Sequence, residues 1–254
     1  GRTLATVTAT AQPKYHQGFE PLPGGFRYCP FNDFEAATEM IGQNTCAVLV
    51  EPVQGEGGII PADPDYLFAV RQLCNDKKIL LIFDEIQCGM GRCGTLFAHE
   101  LYGITPDIMT IAKALGNGFP IGAMLATQNA ATGFDYGSHA TTFGGTPLAT
   151  AAALEVMNII SQNIFLDKVH QIGEYFKGEL LKLKEKHTKV VEVRGKGLLL
   201  GLEIDKDAGF FVGKLFEKGF IINGIQDKIL RFAPPLIIEK QEIDKLILAL
   251  DSLL

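Results

Sequence analysis

The fold of this chain is decided by residues 77–127, KKILLIFDEIQCGMGRCGTLFAHELYGITPDIMTIAKALGNGFPIGAMLAT. The stretch holds three apolar runs, each too short for a helix and each ending beside charge or glycine, which predicts three buried strands. They are residues 79–83, 107–112 and 121–127. The first run is followed by Asp84 and the second by Lys113. Because ligands of open α/β sheets lie outside the carboxyl ends of the strands, these two side chains are predicted to converge on one ligand.

The composition is that of a soluble globular protein with a large core. The chain has 254 residues, 47% of them hydrophobic and 20% charged, with a formal net charge of −6. The acidic balance argues against a nucleic-acid partner, because phosphate binding needs a basic face. The sequence has no run of about 18 apolar residues and no signal-peptide pattern, so we predict a cytoplasmic protein without a membrane partner.

Five cysteines form an odd set without a CxxC motif or a matching histidine spacing. This pattern favours reduced, partly buried thiols over a disulfide framework or a structural zinc site. The cysteines are Cys29, Cys46, Cys74, Cys88 and Cys93.

Helices alternate with strands up to about residue 163, which is typical of βα units and a mostly parallel sheet. The predicted elements before the central stretch are a helix at 34–41, a strand at 47–50 and a helix at 65–77. After residue 163 the pattern changes, and strands no longer alternate with helices. The predicted helices there are a long charged one at 165–186, one at 208–218 and a last one at 240–253. The predicted strands are a glycine-punctuated group after the first of these helices, then GFIING and KILRFAPPLII. We predict a large α/β domain over 1–163 and a smaller α+β domain over 164–254.

Lys113 allows two interpretations. A lysine at the end of an apolar run is often a surface residue whose stem packs on the protein. It is alternatively a desolvated amine suited to form a Schiff base with a carbonyl cofactor. Pyridoxal 5'-phosphate needs such a lysine, an acid at its pyridine nitrogen and a phosphate cradle, and Lys113, Asp84 and Thr142 can fill these roles. Thr142 lies close to a helix that Pro147 is predicted to begin, where N–H groups favour anions.

Five motifs in this order resemble the class III (ornithine-type) aminotransferases of fold type I. They are EPVQGEGG, FDEIQCGMGR, PDIMTIAKALGNGFPIGA, TTFGGTPLA and RFAPPL. The opening GRTLATVTATAQPKYHQGFEPLP is similar to the branch of that family that uses N2-acetyl-L-ornithine. The resemblance implies transfer of the terminal amino group of N-acetylornithine to 2-oxoglutarate through pyridoxal 5'-phosphate, in arginine biosynthesis. Ornithine, succinylornithine, succinyldiaminopimelate and 4-aminobutyrate stay open as donors.

The resemblance also implies cofactor-binding residues. Lys113 would hold the cofactor covalently and then act as general base and acid, and Asp84 would pair with the pyridinium nitrogen. The further cofactor contacts would be Glu85, Ile86 and Gln87. In this family the threonine that matches Thr142 reaches the phosphate of the partner subunit, so a homodimer with shared sites is implied.

For the substrates, the resemblance implies two arginines. Arg2 would grip the α-carboxylate of N-acetylornithine by a bidentate fork, and Arg231 would receive that of glutamate or 2-oxoglutarate. Glu56 would pair with Arg231 while the other substrate is bound, and Thr141 would also contact substrate. The alternative is that the arginines form surface ion pairs worth under about 1 kcal/mol and that the loop glutamate is solvated.

Two other outcomes stay open. About the first third of the family's chain, with its phosphate loop and the aromatic residue that stacks on the cofactor, has no counterpart here. If the molecule begins at Gly1, we expect an inactive fragment that binds a partner chain. A metal-dependent enzyme using Asp84, Glu85 and His99 is a further alternative, although their spacing is not that of known metal ligands.

Overall fold

The computed structural model describes residues 2–254, so Gly1 lies outside them. The chain divides into two compact units, Gly1–Thr45 and Cys46–Leu254.

The first unit contains short helices in its described part. They are α1 (Leu4–Ala9), α2 (Pro13–His16) and α3 (Phe34–Met40). The prediction of α3 is confirmed, and its start is set by Asp33, whose Oδ1 accepts a hydrogen bond from the backbone N–H of Ala36 at 2.9 Å. The first two helices were not predicted, because the threonines, prolines and glycines of this segment indicate loop. Pro13 begins α2, at the position where its missing N–H costs nothing.

The second unit opens with a four-stranded sheet in the order β1-β2-β3-β4. The strands are β1 (Ala47–Val50), β2 (Leu80–Asp84), β3 (Ile108–Ile111) and β4 (Ala123–Ala126). The first three are parallel and β4 runs antiparallel to β3. The predicted mostly parallel sheet is therefore confirmed.

The prediction of burial holds for one face of the central strands and is wrong for β4. Leu81, Phe83, Met109 and Ile111 are buried. All four residues of β4 are exposed. β4 lies at the sheet edge, where it pairs only with β3, and core side chains cover neither of its faces.

The helices of this part follow the predicted pattern. The connection from β1 to β2 is α4 (Pro64–Lys77), which buries Leu67, Val70 and Cys74. A short helix, α5 (Gln128–Ala131), follows β4 in a segment for which no helix was predicted. The next helix, α6 (Pro147–Ile160), begins at Pro147 as predicted.

The C-terminal part is an antiparallel sheet in the order β5-β6-β8-β7, covered by helices. Its elements are α7 (Asn163–Lys186), β5 (Val190–Lys196), β6 (Leu199–Ile204), α8 (Ala208–Glu217), β7 (Asn223–Ile225), β8 (Ile229–Phe232) and α9 (Lys240–Asp251). The strand predicted over 219–224 is shifted: it begins at Asn223. One core of buried residues, including Phe176, Leu200 and Leu230, fills this part. The domain boundary near residue 163 stays a prediction.

All five cysteines are free thiols, with Cys29 and Cys46 exposed and the other three buried. Within residues 2–254 no single helix is long and apolar enough to cross a membrane, and α6 and α7 meet that test only when joined across a bend of 72°.

Candidate active site

Three ionisable side chains lie at or just after the carboxyl ends of neighbouring parallel strands. Glu51 comes directly after β1, Asp84 ends β2, and Lys113 lies two residues after the end of β3. The register pairs Val50 with Phe83 and Asp84 with Thr110, so these ends lie at one edge of the sheet. The charges of Asp84 and Glu51 both act on Lys113. The structure thus brings together the aspartate and the lysine that the strand pattern placed at this edge.

Lys113 has an uncommon backbone conformation and a perturbed amine. Its φ of 46° lies in the left-handed region, which costs a residue other than glycine about 1 kcal/mol or more and is frequent at functional sites. Lys113 is an exposed residue. Neighbouring protein atoms nevertheless remove enough water from the ammonium to lower its pKa, aided by the charge of Arg231 and opposed by those of Glu56, Asp84 and Glu51. A larger neutral fraction of the amine makes Lys113 a better nucleophile.

Asp84 is oriented by its own turn. Its Oδ1 accepts a hydrogen bond from the backbone N–H of Ile86 at 2.9 Å. This bond fixes the carboxylate at the end of β2 and leaves its second oxygen available for a ligand. Ile86 is only partly buried, so its side chain can also contact a bound molecule.

Glu56, Gln87 and Arg231 form a hydrogen-bonded triangle. Arg231 Nη1 donates to Glu56 Oε1 and to Gln87 Oε1, the latter at 3.2 Å, and Gln87 Nε2 donates to Glu56 Oε1 at 3.3 Å. The Arg231 side chain is 15% exposed and that of Glu56 38%. Burial alone would raise the pKa of Glu56, but the hydrogen bond and charge of Arg231 outweigh it, so the pKa lies below its ordinary value. The ion pair is therefore charged at neutral pH.

Gly55 makes room for this triangle. A Cβ at residue 55 would lie 2.5 Å from Cδ of Gln87. Any side chain there would displace the Gln87 amide from Glu56 and Arg231.

Glu51 is one of the two glutamates of EPVQGEGG, which the sequence left either solvated or poised over a site, and it was not among the predicted site residues. Its Oε2 accepts a hydrogen bond from the backbone N–H of Gly55 at 2.9 Å. Burial raises the pKa of Glu51 to about 7, with a smaller contribution from the charge of Asp84. The signal that could have found it is its place directly after β1, on the strand adjacent to the one that ends in Asp84.

Glu85 is engaged by backbone groups. It is fully buried, and its two carboxylate oxygens accept hydrogen bonds from the backbone N–H groups of Ala98 at 2.5 Å and His99 at 2.8 Å. Burial raises the pKa of Glu85 to about 7 against the effect of these two bonds. Its contact with a cofactor stays a prediction. In the part of the chain that is described, no group of three or more His, Cys, Asp or Glu is placed to hold a metal ion.

The threonines lie in the turn before α6. Thr141 Oγ1 accepts a hydrogen bond from the backbone N–H of Gly144 at 3.1 Å. Thr142 is exposed, so its hydroxyl is accessible to a ligand. The helix itself is capped at Thr146, whose side chain makes no capping bond. The roles predicted for Thr141 and Thr142 stay predictions.

Arg2 belongs to the first unit, where its guanidinium carbon lies 4.4 Å from the centre of the Tyr15 ring. Its predicted contact with a substrate carboxylate stays a prediction.

The residues at the sheet edge fit a pyridine aldehyde cofactor. An amine with a lowered pKa and a carboxylate held at a strand end are two of the groups that such a cofactor requires. A partly buried arginine next to them suits a substrate carboxylate. Fold and site together define an α/β protein with a site for a carbonyl cofactor and a carboxylate ligand.

The chain belongs to the class-III aminotransferases, whose family model matches residues 1–254. It is 56% identical over 252 residues to acetylornithine aminotransferase of Methanocaldococcus jannaschii, covering 99% of this chain and 63% of that protein. It is 50% identical over 256 residues to succinylornithine transaminase of Photorhabdus laumondii, covering 99% of this chain and 64% of that protein.

The fold resembles solved structures of this family. The ornithine aminotransferase of Toxoplasma gondii superimposes with a TM-score of 0.93 at 33% identity, covering 99% of this chain and 61% of that one. The predicted fold class, α/β of fold type I with a mostly parallel sheet, is confirmed. This chain spans less than two thirds of the length of these proteins.

Proposed function

We propose that the whole protein is a pyridoxal phosphate-dependent aminotransferase that moves the terminal amino group of N2-acetyl-L-ornithine to 2-oxoglutarate, in arginine biosynthesis. The observation that carries the proposal is the meeting of Lys113, Asp84 and the Glu56–Arg231 pair at one sheet edge. The printed names of the relatives support amino-group transfer from an ornithine derivative. The free cysteines support a reducing, cytoplasmic location.

Pyridoxal phosphate, when bound, supplies an aldehyde carbon and an electron-withdrawing pyridine ring. Nζ of Lys113 would hold that carbon between turnovers. The free amine would serve as the base and then the acid for the proton on the substrate carbon, a role that its lowered pKa favours. The Asp84 carboxylate would keep the ring nitrogen protonated, and Gln87 would orient the ring oxygen.

The Glu56–Arg231 pair supports a pocket that accepts two unlike substrates. Arg231 would bind the α-carboxylate of 2-oxoglutarate or glutamate, which requires Glu56 to turn away. With the ornithine derivative bound, Glu56 would neutralise Arg231. A switch between two charged partners changes specificity without moving the rest of the site.

We also propose a homodimer with shared active sites. The segment around Thr142 is exposed, and Phe143 beside it is 82% exposed. A second copy of the protein would cover this apolar side chain and place Thr142 at the phosphate of the neighbouring site. Mixing Lys113→Ala and Thr142→Ala subunits tests this, because each mixed dimer would contain one intact site. Recovery of activity above both parents is expected, and activity no higher than that of the parents would contradict shared sites.

The first experiment is an absorption titration of the protein with pyridoxal phosphate. We expect a visible band that borohydride abolishes, with the label on Lys113 by peptide mass spectrometry. N-acetylornithine should bleach the band in the unreduced protein. Lys113→Ala should lack the band and Lys228→Ala, an exposed lysine variant, should keep it. Absence of a Lys113-dependent band would refute the proposal and favour a non-catalytic chain.

The donor is tested by comparing kcat/KM for N-acetylornithine, succinylornithine and ornithine with 2-oxoglutarate as acceptor. We expect the acylated donors to exceed ornithine, because acylation removes a charge from the α-amino group. A preference for free ornithine would replace the proposed substrate and leave the reaction type unchanged.

A further inference from the structure

The loop that carries Glu56, residues 51–61, is tied at its base by its own backbone. Gln54 N–H donates to the carbonyl of Ile60, and Ala62 N–H donates to that of Pro52, each at 2.9 Å. Tyr102 adds a bond from its hydroxyl to the Pro52 carbonyl at 3.0 Å. These contacts leave the position of the loop tip, residues 56–59, to other parts of the molecule.

The tip packs against the C-terminal sheet where two glycines leave space for a side chain. Ile59 is fully buried with a φ of 56°, a conformation that is rare for a β-branched residue and persists only where the surroundings impose it. A Cβ on Gly195 would lie 3.1 Å from Ile59 Cγ2, and a Cβ on Gly201 would lie 3.0 Å from Ile59 Cβ. The Ile59 side chain therefore occupies the space that these two glycines of β5 and β6 leave.

Arg194 binds the tip directly. Its Nε donates to the carbonyl oxygen of Gly58 at 2.7 Å. Its Nη1 binds the carboxylates of Glu192 at 2.5 Å and Glu203 at 2.6 Å, and the side chain is 13% exposed. Both carboxylates bind Nη1, and this orients the guanidinium so that its Nε–H donates to the loop.

The sheet register places Arg194 and Arg231 on either side of the loop tip. Gly201 is paired with Arg194 on β5 and with Arg231 on β8. Directly paired residues project from the same face of a sheet, so the two arginines flank a position without a side chain. Ile59 fills that position, Gly58 is held by Arg194, and Glu56 is bound to Arg231.

We propose that Arg194 is a positioning residue that fixes the backbone of the Glu56 loop, so that only the Glu56 side chain moves when Arg231 changes partner. Its kinetic consequence rests on the proposed function. Lysine has the charge of arginine but lacks the planar fork that joins two carboxylates and a carbonyl. Arg194→Lys therefore releases the tip and weakens the neutralisation of Arg231 by Glu56.

Hydrogen exchange tests the structural part without any assumption about catalysis. In the cofactor-loaded protein, Arg194→Lys should speed the exchange of amides 54–60 by at least about tenfold. Arg71→Lys is the matched control, because Arg71 is 14% exposed and paired with Asp107 at 2.8 Å. Unchanged exchange in Arg194→Lys, or an equal change in both variants, would overturn the proposal.

Half-reaction kinetics test the consequence. Arg194→Lys should lower kcat/KM for the amino donor about tenfold more than for 2-oxoglutarate, which corresponds to about 1.4 kcal/mol. In a Glu56→Gln background, Arg194→Lys should leave the ratio of kcat/KM for the amino donor to kcat/KM for 2-oxoglutarate unchanged, since Arg194 acts through Glu56. An equal loss in both half-reactions, or a persisting effect without Glu56, would overturn the positioning role. If even the wild type transfers no amino group, the proposed function fails and the exchange data still decide the role of Arg194.

Discussion

The buried carboxyl of Glu85 predicts a specific dependence of stability on pH. In the folded chain burial raises its pKa from an ordinary 4.5 to about 7. The folded state therefore binds more protons than the unfolded state between these values, and stability falls as pH rises through that interval. At 1.36 kcal/mol per pKa unit, ionisation of Glu85 costs the folded state about 3 kcal/mol by pH 8.

Glu85→Gln should remove this contribution of Glu85 to the pH dependence of stability. At pH 5 the variant should be less stable than the wild type by about 1–3 kcal/mol, because the amide nitrogen cannot accept the hydrogen bond from Ala98 or His99. At pH 8 the difference should shrink to zero or reverse, since only the wild type carries a buried charge. Urea denaturation followed by far-UV circular dichroism suits the measurement, because the chain has no tryptophan. The difference between the urea midpoints of the wild type and the variant should change by about 1 M from pH 5 to pH 8.

Glu100→Gln is the control for this experiment. Glu100 also binds a backbone N–H, that of Leu96 at 3.1 Å, but it is exposed. Its charge contributes less than burial to the raised pKa of Glu85, so its replacement should leave most of the pH dependence of the wild type in place. The opposite sign for Glu85, with the wild-type advantage growing from pH 5 to pH 8, would show that the two backbone donors outweigh burial and would refute the reasoning.

Other substitutions test the packing of the C-terminal part. Gly173→Ala should lower the free energy of unfolding by about 1–3 kcal/mol, because its Cβ would lie 2.6 Å from the backbone of Gly197. A Cβ on Gly178, which lies on the same helix, would have no neighbour within 4 Å, so Gly178→Ala should raise the free energy of unfolding by about 0.5–1 kcal/mol. Equal effects of the two substitutions on denaturation would contradict this packing. Phe176→Ala should cost about 3–5 kcal/mol, since this ring is 1% exposed in the core. Phe216→Ala removes a ring that is 68% exposed and should change stability by under about 0.5 kcal/mol, and a similar loss in both would refute the core assignment.

Local signals in the sequence determined the order of the main elements and the two reactive strand ends. Apolar runs of strand length, a helix period at residues 65–77 and the proline at 147 are encoded within a few residues of where they act. The side chains that follow β2 and β3 are predictable for the same reason. Parallel strands bring their carboxyl ends to one edge, so the pattern alone places Asp84 and Lys113 together.

The tertiary structure alone decided which side chains engage which partners. The exposure of β4, the burial of Glu85 and the raised pKa of Glu51 depend on what packs around each residue. The contacts of the Glu56 loop join residues far apart in the chain: Gly58 and Arg194 are separated by 136 positions and Glu56 and Arg231 by 175. The second contact was expected only through the family resemblance, and the first was not expected. Such pairs leave no local pattern, because they form only when two sheets have folded and the space beside two glycines admits the loop.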